Sequence, residues 1–271
     1  MKAGFVIPVY NHGKEVGNVV KQLTPYNLPI ILVDDGSNAE TKIALNSIVS
    51  EYAADKQNAQ IFLVTRKKNG GKGAAVISGI EKAHELALSS VLQLDADGQH
   101  DLSRIAFFLD AAAKTSAKSG ASITAVCGKP EYDDSVPESR LKGRVVGNNW
   151  AKFVTLTFSK NSPFYIADSM CGFRVYPVEK TWKIIRAHHI TLDKRMGFDI
   201  EILVRLVWTG VRLDFYPVHV VYPEGALSNF HVVKDNIKIG LMFARLCCEL
   251  IFRFPFLLFR KLTMQRQEAG K

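Results

Sequence analysis

Short apolar runs alternate with amphipathic stretches along the first hundred residues of the chain. The stretches between the runs place apolar residues at helical spacing, as at Val16, Val19, Val20 and Leu23. This pattern predicts strands over residues 4–9, 29–33, 59–65 and 90–94, and helices over 12–23, 41–52 and 74–88. Strands that are apolar throughout and separated by helices are typical of a parallel sheet with helices on both sides. We therefore expect a Rossmann-like α/β domain with a mixed, mostly parallel sheet flanked by helices.

The second half of the chain follows a less regular pattern. It predicts helices over 103–113, 148–158 and 200–208, strands over 121–127 and 213–222, and a polar, extended segment over 167–176. Residues 129–147 are polar and charged and include two prolines, which indicates a mobile loop over a ligand crevice.

The C-terminal part predicts a long helix over 235–262, or two helices broken at Pro255. A membrane-spanning helix needs about 20 apolar residues with few charges, and each central Arg costs about 2.5–3.5 kcal/mol on insertion scales. Because Arg245, Arg253 and Arg260 interrupt the apolar stretch, we expect no span. The Phe-rich residues 251–259 suit an interfacial helix, and packing on the core or on a partner subunit is the alternative. The predicted units are a main domain over 1–232 and an amphipathic helical segment over 233–271.

Composition narrows the possible partners and the compartment. The chain has 271 residues, 47% of them hydrophobic, and a net charge of +9 that favours anionic partners such as phosphorylated substrates or lipid headgroups. Its basic residues are not interleaved with aromatic residues in the RNA-binding manner, so we expect no nucleic-acid partner. Four cysteines without a C-x-x-C spacing, and an N-terminus without a signal-peptide pattern, indicate a reducing, cytoplasmic location.

Four polar clusters follow the predicted strands of the first half. They are Tyr10-Asn11, Asp34-Asp35, residues 67–72 and residues 95–99. In open α/β sheets the ligand crevice lies beyond the carboxyl ends of the strands, so we expect these clusters to meet there.

Two of the clusters carry carboxylates suited to a metal and a nucleotide. Asp95 and Asp97, one residue apart after a buried strand, offer what Mg²⁺ prefers when it also binds phosphate oxygens and water; an ordinary turn is the alternative. Asp35 could accept hydrogen bonds from a base or a ribose. Residues 66–73 lack the Walker spacing, but glycines before a helix expose amides to an anion, and Lys72 adds a positive charge.

Taken in order, the motifs resemble family 2 glycosyltransferases. They are P-V-Y-N at 8–11, D-D-G-S at 34–37, G-G-K-G-A-A at 70–75 and D-A-D-G-Q-H at 95–100. The likeness covers about residues 3–230 and is strongest to the polyprenyl-phosphate mannosyl- and glucosyltransferases and to compact versions from bacterial aryl-polyene-type clusters. It implies a GT-A fold, a nucleotide-diphosphate sugar donor, and Mg²⁺ or Mn²⁺ held by Asp95, Asp97 and Gln99. The donor residues it implies are Pro8, Tyr10, Asn11, Asp35, Lys72, Asp95 and Ser228.

The second half carries the acceptor side of the resemblance. D-S-M-C-G-F-R at 168–174 is similar to the segment that lines the acceptor site in the family, and G-F-D-I-E at 197–201 to the segment that supplies acidic residues. These likenesses imply Asp199 or Glu201 as the base and Asp168 as the residue that holds the acceptor. An acceptor hydroxyl needs such a base, whereas an acceptor phosphate is already a nucleophile. Residues 222–231 resemble the mobile loop of the family.

That loop departs from the family pattern at two positions. Ala226 and Asn229 stand where a basic residue and His or Lys are common, which leaves Ser228, together with His231 or Lys234, to contact the diphosphate.

The function that the resemblance implies is inverting transfer of a sugar from a UDP- or GDP-linked donor to a lipid phosphate or lipid hydroxyl. The protein would work as a peripheral enzyme on the inner face of the cytoplasmic membrane. A sugar-1-phosphate nucleotidyltransferase is an alternative, but its G-x-G-T-R-L type signature is absent, since residues 4–13 read G-F-V-I-P-V-Y-N-H-G. The second alternative is a non-catalytic protein that binds nucleotide sugars.

Overall fold

The fold is a three-layer arrangement in which one sheet lies between two layers of helices. The computed structural model describes residues 2–53, 59–117, 123–133, 136, 138–220 and 232–269. Its strands are β1 Ala3–Val9, β2 Ile30–Asp34, β3 Ile61–Thr65, β4 Ser90–Gln93, β5 Thr124–Tyr132, β6 Arg174–Pro177 and β7 Arg212–Val220. Its helices are α1 Gly13–Leu23, α2 Ala39–Ala53, α3 Lys72–Glu85, α4 Ile105–Ala117, α5 Glu138–Thr155, α6 Val178–Ala187, α7 Phe198–Trp208 and α8 Val232–Ala269.

The sheet has seven strands in the order β3-β2-β1-β4-β6-β5-β7. β1 pairs in parallel with β2 and β4, β2 with β3, and β5 with β7, whereas β6 runs antiparallel to both of its neighbours. The sheet is therefore mixed and mostly parallel, and the predicted fold class is confirmed.

Successive residues of β1 point to opposite sides of the sheet, and both sides are covered. Phe5 and Ile7 belong to the core with α1, α2 and α4, whereas Val6 belongs to the core with α3, α5, α6, α7 and α8. A strand buried on both faces must be apolar at every position, which explains the continuous apolar runs in the sequence.

The predicted mobile loop over 129–147 is wrong in its larger part. Lys129–Tyr132 extends β5 and pairs with Pro217–Val220 of β7, and α5 begins at Glu138, ten residues before the predicted helix start. Glu138 and Lys142 form an i,i+4 ion pair of 2.9 Å in the first turn of α5. Strand partners far along the chain decide this region, so local polarity was a poor guide. The sequence interpretation also assigned no element to α6.

Helix α8 is continuous, with Pro255 inside it. Its inner face contributes Met242, Phe243, Leu246 and Leu250 to the core, and the division of the chain at residue 232 remains a prediction. Within the described ranges, no helix combines the length and the apolar character that crossing a membrane requires.

Candidate active site

The polar clusters predicted at the strand ends meet at the carboxyl edge of β1, β2 and β4. The backbone amide of Asn11 donates to Oγ of Ser37 at 3.1 Å, and the backbone amide of Asn38 donates to the side-chain Oδ1 of Asn11 at 2.9 Å. These two hydrogen bonds join the loops after β1 and β2. Asn11 has φ 60°, a left-handed conformation that asparagine tolerates better than most residues. Pro8 lies within β1, and Tyr10 follows the strand, half-buried.

Asp35 ties the end of β2 to the loop after β3. Its buried carboxylate accepts hydrogen bonds from Nε of Arg66 at 2.8 Å and from the amides of Gly70 and Gly71 at 3.0 and 2.7 Å. Both oxygens therefore have protein partners, which gives Asp35 a role in shaping the crevice. Its contact with a nucleoside remains a prediction.

Three amides of the glycine-rich turn and the start of α3 already have acceptors within the protein, so these three are not free to bind an anion. The Gly70 and Gly71 amides donate to Asp35, and the Ala74 amide donates to the carbonyl of Lys194 at 2.8 Å. A Cβ on Gly71 would lie 2.9 Å from that same carbonyl. The glycines are therefore needed for the close approach of the segment that precedes α7.

Lys72 lies between two carboxylates at the centre of the crevice. Its Nζ is 2.8 Å from Oδ1 of Asp95 and 3.2 Å from Oδ2 of Asp199, and the Asp199 side chain is only 7% exposed. A Cβ on Gly172 would lie 2.6 Å from Nζ of Lys72. The glycine of the D-x-x-C-G-F-R segment thus leaves room for the lysine.

The charges around Lys72 shift the pKa values of its neighbours. Burial would lower the pKa of Lys72, but the carboxylates of Asp199 and Asp95 raise it well above its ordinary value. Burial would raise the pKa of Asp95, but Lys72 lowers it. The pKa of Asp97 is raised by burial and by the charge of Asp95, and burial lowers the pKa of His100. Lys72 is thus a fixed positive charge.

Asp97 and Gln99 have the oxygen atoms that a divalent cation would need. Asp97 Oδ1 accepts a hydrogen bond from the backbone amide of Gln99 at 3.0 Å. A Cβ built on the intervening Gly98 meets no atom within 4 Å, so there is open space beside this turn. Two carboxylates and an amide oxygen suit Mg²⁺ or Mn²⁺ when phosphate oxygens complete the shell. The described residues contain no group of three or more His, Cys, Asp or Glu side chains that could hold a metal by themselves.

Asp168, expected to hold the acceptor, is buried and shapes its own turn. It accepts from Nη1 of Arg144 at 2.9 Å and from the amides of Met170 and Cys171 at 2.9 and 2.7 Å. Asn148 Nδ2 donates to it at 3.3 Å. These contacts fix the Asp168 carboxylate, which in turn holds the guanidinium of Arg144. The contact of Asp168 with an acceptor remains a prediction.

Asp199 and Glu201, the two candidate bases, occupy different environments. Asp199 faces Lys72 in the crevice, whereas Glu201 has no exposed side-chain surface. The Glu201 carboxylate accepts from Arg205, Arg245 and the Asp193 amide. Because Glu201 is enclosed by these donors, whereas Asp199 contacts the crevice lysine, the geometry favours Asp199.

Sequence reasoning gave no role to two residues beneath Asp199. Arg174 is fully buried and donates from Nη1 to the Asp199 carbonyl at 2.6 Å, and Gln93 donates from Nε2 to Oδ1 of Asp199 at 3.4 Å. They are direct partners across β4 and β6. The signal that could have found them is a polar side chain at the end of each short strand, Gln93 in S-V-L-Q and Arg174 in R-V-Y-P. The predicted contact of Ser228 lies outside the described residues, as does that of His231.

The fold is that of the GT-A glycosyltransferases, and two solved structures show the likeness. A mannosyltransferase from Pyrobaculum calidifontis, solved with GDP-Man and Mn²⁺, superposes with a TM-score of 0.51 at 15% identity, over 83% of this chain and 58% of that one. TarS residues 1–349 of S. aureus superpose with a TM-score of 0.51 at 15% identity, over 82% of this chain and 60% of that one. The chain thus spans about 60% of the length of these solved structures.

The sequence pattern described as glycosyl transferase family 2 matches residues 5–185, and the chain therefore belongs to this family of enzymes. A UDP-N-acetylglucosamine–dolichyl-phosphate N-acetylglucosaminyltransferase from Methanococcus voltae is 29% identical, over 87% of this chain and 90% of the relative. A dolichyl-phosphate beta-glucosyltransferase from Dictyostelium discoideum is 26% identical, over 86% of this chain and 72% of the relative. The protein is a glycosyltransferase, as the motifs predicted.

Proposed function

We propose that the protein transfers a sugar, with inversion at the anomeric carbon, from a nucleotide-diphosphate donor to a lipid phosphate. The observation that carries the proposal is the position of Lys72 between Asp95 and Asp199, beside Asp97 at the carboxyl edge of the sheet. In this proposal the Lys72 ammonium lies beside the departing diphosphate, on which negative charge would develop. A fixed positive charge in a half-buried crevice stabilises such charge better than water does.

The donor would be held by the loops that meet in the crevice. Asp95, Asp97 and Gln99 would hold Mg²⁺ or Mn²⁺, which when bound stabilises the negative charge of the leaving diphosphate. The loop that carries Asn11 and the loop closed by Asp35 would enclose the nucleoside. UDP- and GDP-linked sugars are both candidates.

A phosphate acceptor fits the relatives and the charge of the crevice. Both curated relatives are named for transfer to dolichyl phosphate. Arg144, fixed by Asp168, would attract an acceptor phosphate. Since a phosphate needs no base, Asp199 would serve to hold Lys72. With a lipid hydroxyl as acceptor, Asp199 would instead be the base.

The outer face of α8 supports a peripheral position on the membrane. Ile237, Leu241, Ile251, Phe252 and Phe259 are each more than half exposed. These residues recur at intervals that bring them to one side of the helix, opposite the side that enters the core. An apolar face of this kind suits the boundary between headgroups and acyl chains. The proposal puts the enzyme at the inner face of the cytoplasmic membrane.

A transfer assay tests this function. The purified protein is incubated with UDP-N-acetylglucosamine, UDP-glucose or GDP-mannose, each with Mn²⁺ or EDTA, and phosphatidylglycerol vesicles with or without dolichyl phosphate. We expect one donor to give metal-dependent release of its nucleoside diphosphate and a glycosylated lipid. Release of pyrophosphate from a nucleoside triphosphate and a sugar 1-phosphate would instead show a nucleotidyltransferase.

A further inference from the structure

Glu201 lies at the centre of a network of ion pairs whose two α7 members are buried and whose two α8 members are half-buried. Its Oε1 is 2.7 Å from Nη2 of Arg205 on the same helix, and its Oε2 is 2.6 Å from Nη2 of Arg245 on α8. The Arg205 guanidinium in turn donates two parallel hydrogen bonds, of 2.9 and 2.8 Å, to Glu249 of α8. Glu201 and Arg205 have 0% and 1% of their side-chain surface exposed. Two helices are thus joined by four charges in a setting where an unpaired charge is costly.

The same carboxylate reaches the segment that covers the glycine-rich turn. Glu201 Oε2 accepts from the Asp193 amide at 2.7 Å. The next residue, Lys194, accepts from the Ala74 amide at the N-terminal end of α3 at 2.8 Å. Ala74 is two residues from Lys72, so a short path of hydrogen bonds and backbone runs from α8 to the lysine of the active site.

Glu201 also fixes the first turn of α7, which carries Asp199. The Glu201 amide donates to the Gly197 carbonyl at 2.9 Å, so side chain and backbone hold this turn together. A Cβ on Gly73 would clash with Phe198, which shows how closely the two helix N-termini pack. Lys72 and Asp199 therefore keep their 3.2 Å separation through elements that meet at Glu201.

We propose that Glu201 and Arg245 are positioning residues, through which helix α8 fixes Lys72 and Asp199 relative to each other. The assignment rests on the proposed function, because it gives these two residues their role in transfer. It reassigns Glu201 from a candidate base to a group that never meets substrate. It also makes active-site geometry depend on α8, the helix with the exposed apolar face.

Arg245→Met tests this proposal, with Arg253→Met as its matched control. Arg253 comes from the same helix and also contacts α7, but its guanidinium lies over the Trp208 ring at the far end of α7, 4.8 Å from the ring centroid. Hydrogen–deuterium exchange is measured on both variants without any ligand. We expect peptides covering 191–199 and 70–76 to exchange at least about fivefold faster in Arg245→Met, and to be unchanged in Arg253→Met.

Kinetics then separate positioning from general destabilisation. With the donor and vesicles of the transfer assay, Arg245→Met is expected to lower kcat at least about tenfold and to change the donor KM less than about threefold, because it displaces the catalytic groups without removing a donor contact. Arg245→Lys should recover most of the loss, because it restores a charge near Glu201. If Arg245→Met does not fold, Glu249→Gln takes its place, because it weakens the pairing of Arg205 and leaves Arg245 on Glu201. It should give the same faster exchange and lower kcat, with smaller changes.

Two results would overturn the proposal. The first is a hydrogen–deuterium exchange rate in peptides 191–199 and 70–76 that is equal in Arg245→Met and Arg253→Met. If Glu249→Gln has to replace Arg245→Met, the corresponding result is an exchange rate equal to that of the wild type. The other is a kcat that falls equally in both Met variants. Wild-type protein that transfers no sugar would contradict the proposed function, and the exchange experiment would still decide whether α8 holds the two helix ends.

Discussion

The Nζ atom of Lys72 lies 3.2 Å from Oδ2 of Asp199, which joins the first residues of α3 and α7 across the crevice. Asp95 contacts the same ammonium from the end of β4. One positive charge therefore balances two carboxylates that belong to different parts of the chain. An arriving diphosphate would compete with both carboxylates for this cation.

Lys72→Met should abolish most transfer without unfolding the protein. Loss of one fixed charge that stabilises a developing anion costs on the order of 100-fold in kcat or more. Steady-state kinetics with the donor of the transfer assay measures the effect. Lys82→Met is the control, since Lys82 lies later in α3 and pairs with Glu85 at the surface. Equal activity of the two variants would remove Lys72 from the mechanism.

Asp97→Ala should remove the dependence of donor binding on metal. Asp97 has an oxygen atom available beside an open crevice, and its loss leaves Asp95 already paired with Lys72. Calorimetric titration of the wild type with the donor is expected to show at least about tenfold tighter binding with Mn²⁺ than with EDTA. The variant is expected to bind the donor equally with Mn²⁺ and with EDTA. Asp110→Ala changes an exposed aspartate of α4 and should behave as wild type. A full metal response in Asp97→Ala would contradict the assignment.

The four cysteines should differ sharply in reactivity. Burial raises the pKa of Cys127 to about 12, and burial and then the charge of Asp168 raise that of Cys171 to about 11. A raised pKa leaves the unreactive thiol dominant, so at pH 8 the thiolate is roughly one part in ten thousand of Cys127 and one in a thousand of Cys171. Cys248 is exposed on α8.

Peptide mass spectrometry after brief iodoacetamide treatment checks this difference. We expect Cys248 to be alkylated in the folded protein, and Cys127 and Cys171 only after urea is added. Alkylation of Cys171 in the folded protein at the rate of Cys248 would show that the turn around Asp168 opens readily.

Phe252→Glu or Phe259→Glu should weaken binding to vesicles. The two side chains are 87% and 67% exposed on the outer face of α8, and burying a Phe contributes about 1.5–3 kcal/mol. Each change is therefore expected to reduce partition into phosphatidylglycerol vesicles at least about tenfold in a sedimentation assay. Ile43→Glu, at a position 68% exposed on α2, is the control. If all three variants bind alike, the membrane face lies elsewhere.

The strand ends and their chemistry could be predicted because both are local in the sequence. β1 and β2 are buried runs with polar residues immediately after them, and the topology of a parallel sheet brings those residues together. The fold class and the meeting of the Asn11, Asp35 and Asp95 loops followed from that rule.

What the sequence could not reveal depends on partners far along the chain. The end of β5 is a strand because β7 pairs with it, although Lys129–Tyr132 looks like a loop. Glu201 looked like a candidate base because its motif is acidic, and only Arg205 and Arg245 show that its charge is used internally. The pair with Arg205 has the i,i+4 spacing that a helix brings together, but the pair with Arg245, 44 residues along the chain, follows no spacing rule.

Three arginines of α8, Arg245, Arg253 and Arg260, turn inward. Arg253 lies over Trp208, and Arg260 donates to the Val207 carbonyl at 2.7 Å and lies 4.0 Å from the centroid of Phe164. These cations anchor the helix to its own protein and leave the outer face to Phe and Ile. Attachment of that face to a membrane would depend on burial of apolar side chains rather than on attraction between opposite charges. It would then persist in concentrated salt, where polybasic segments are released from lipid.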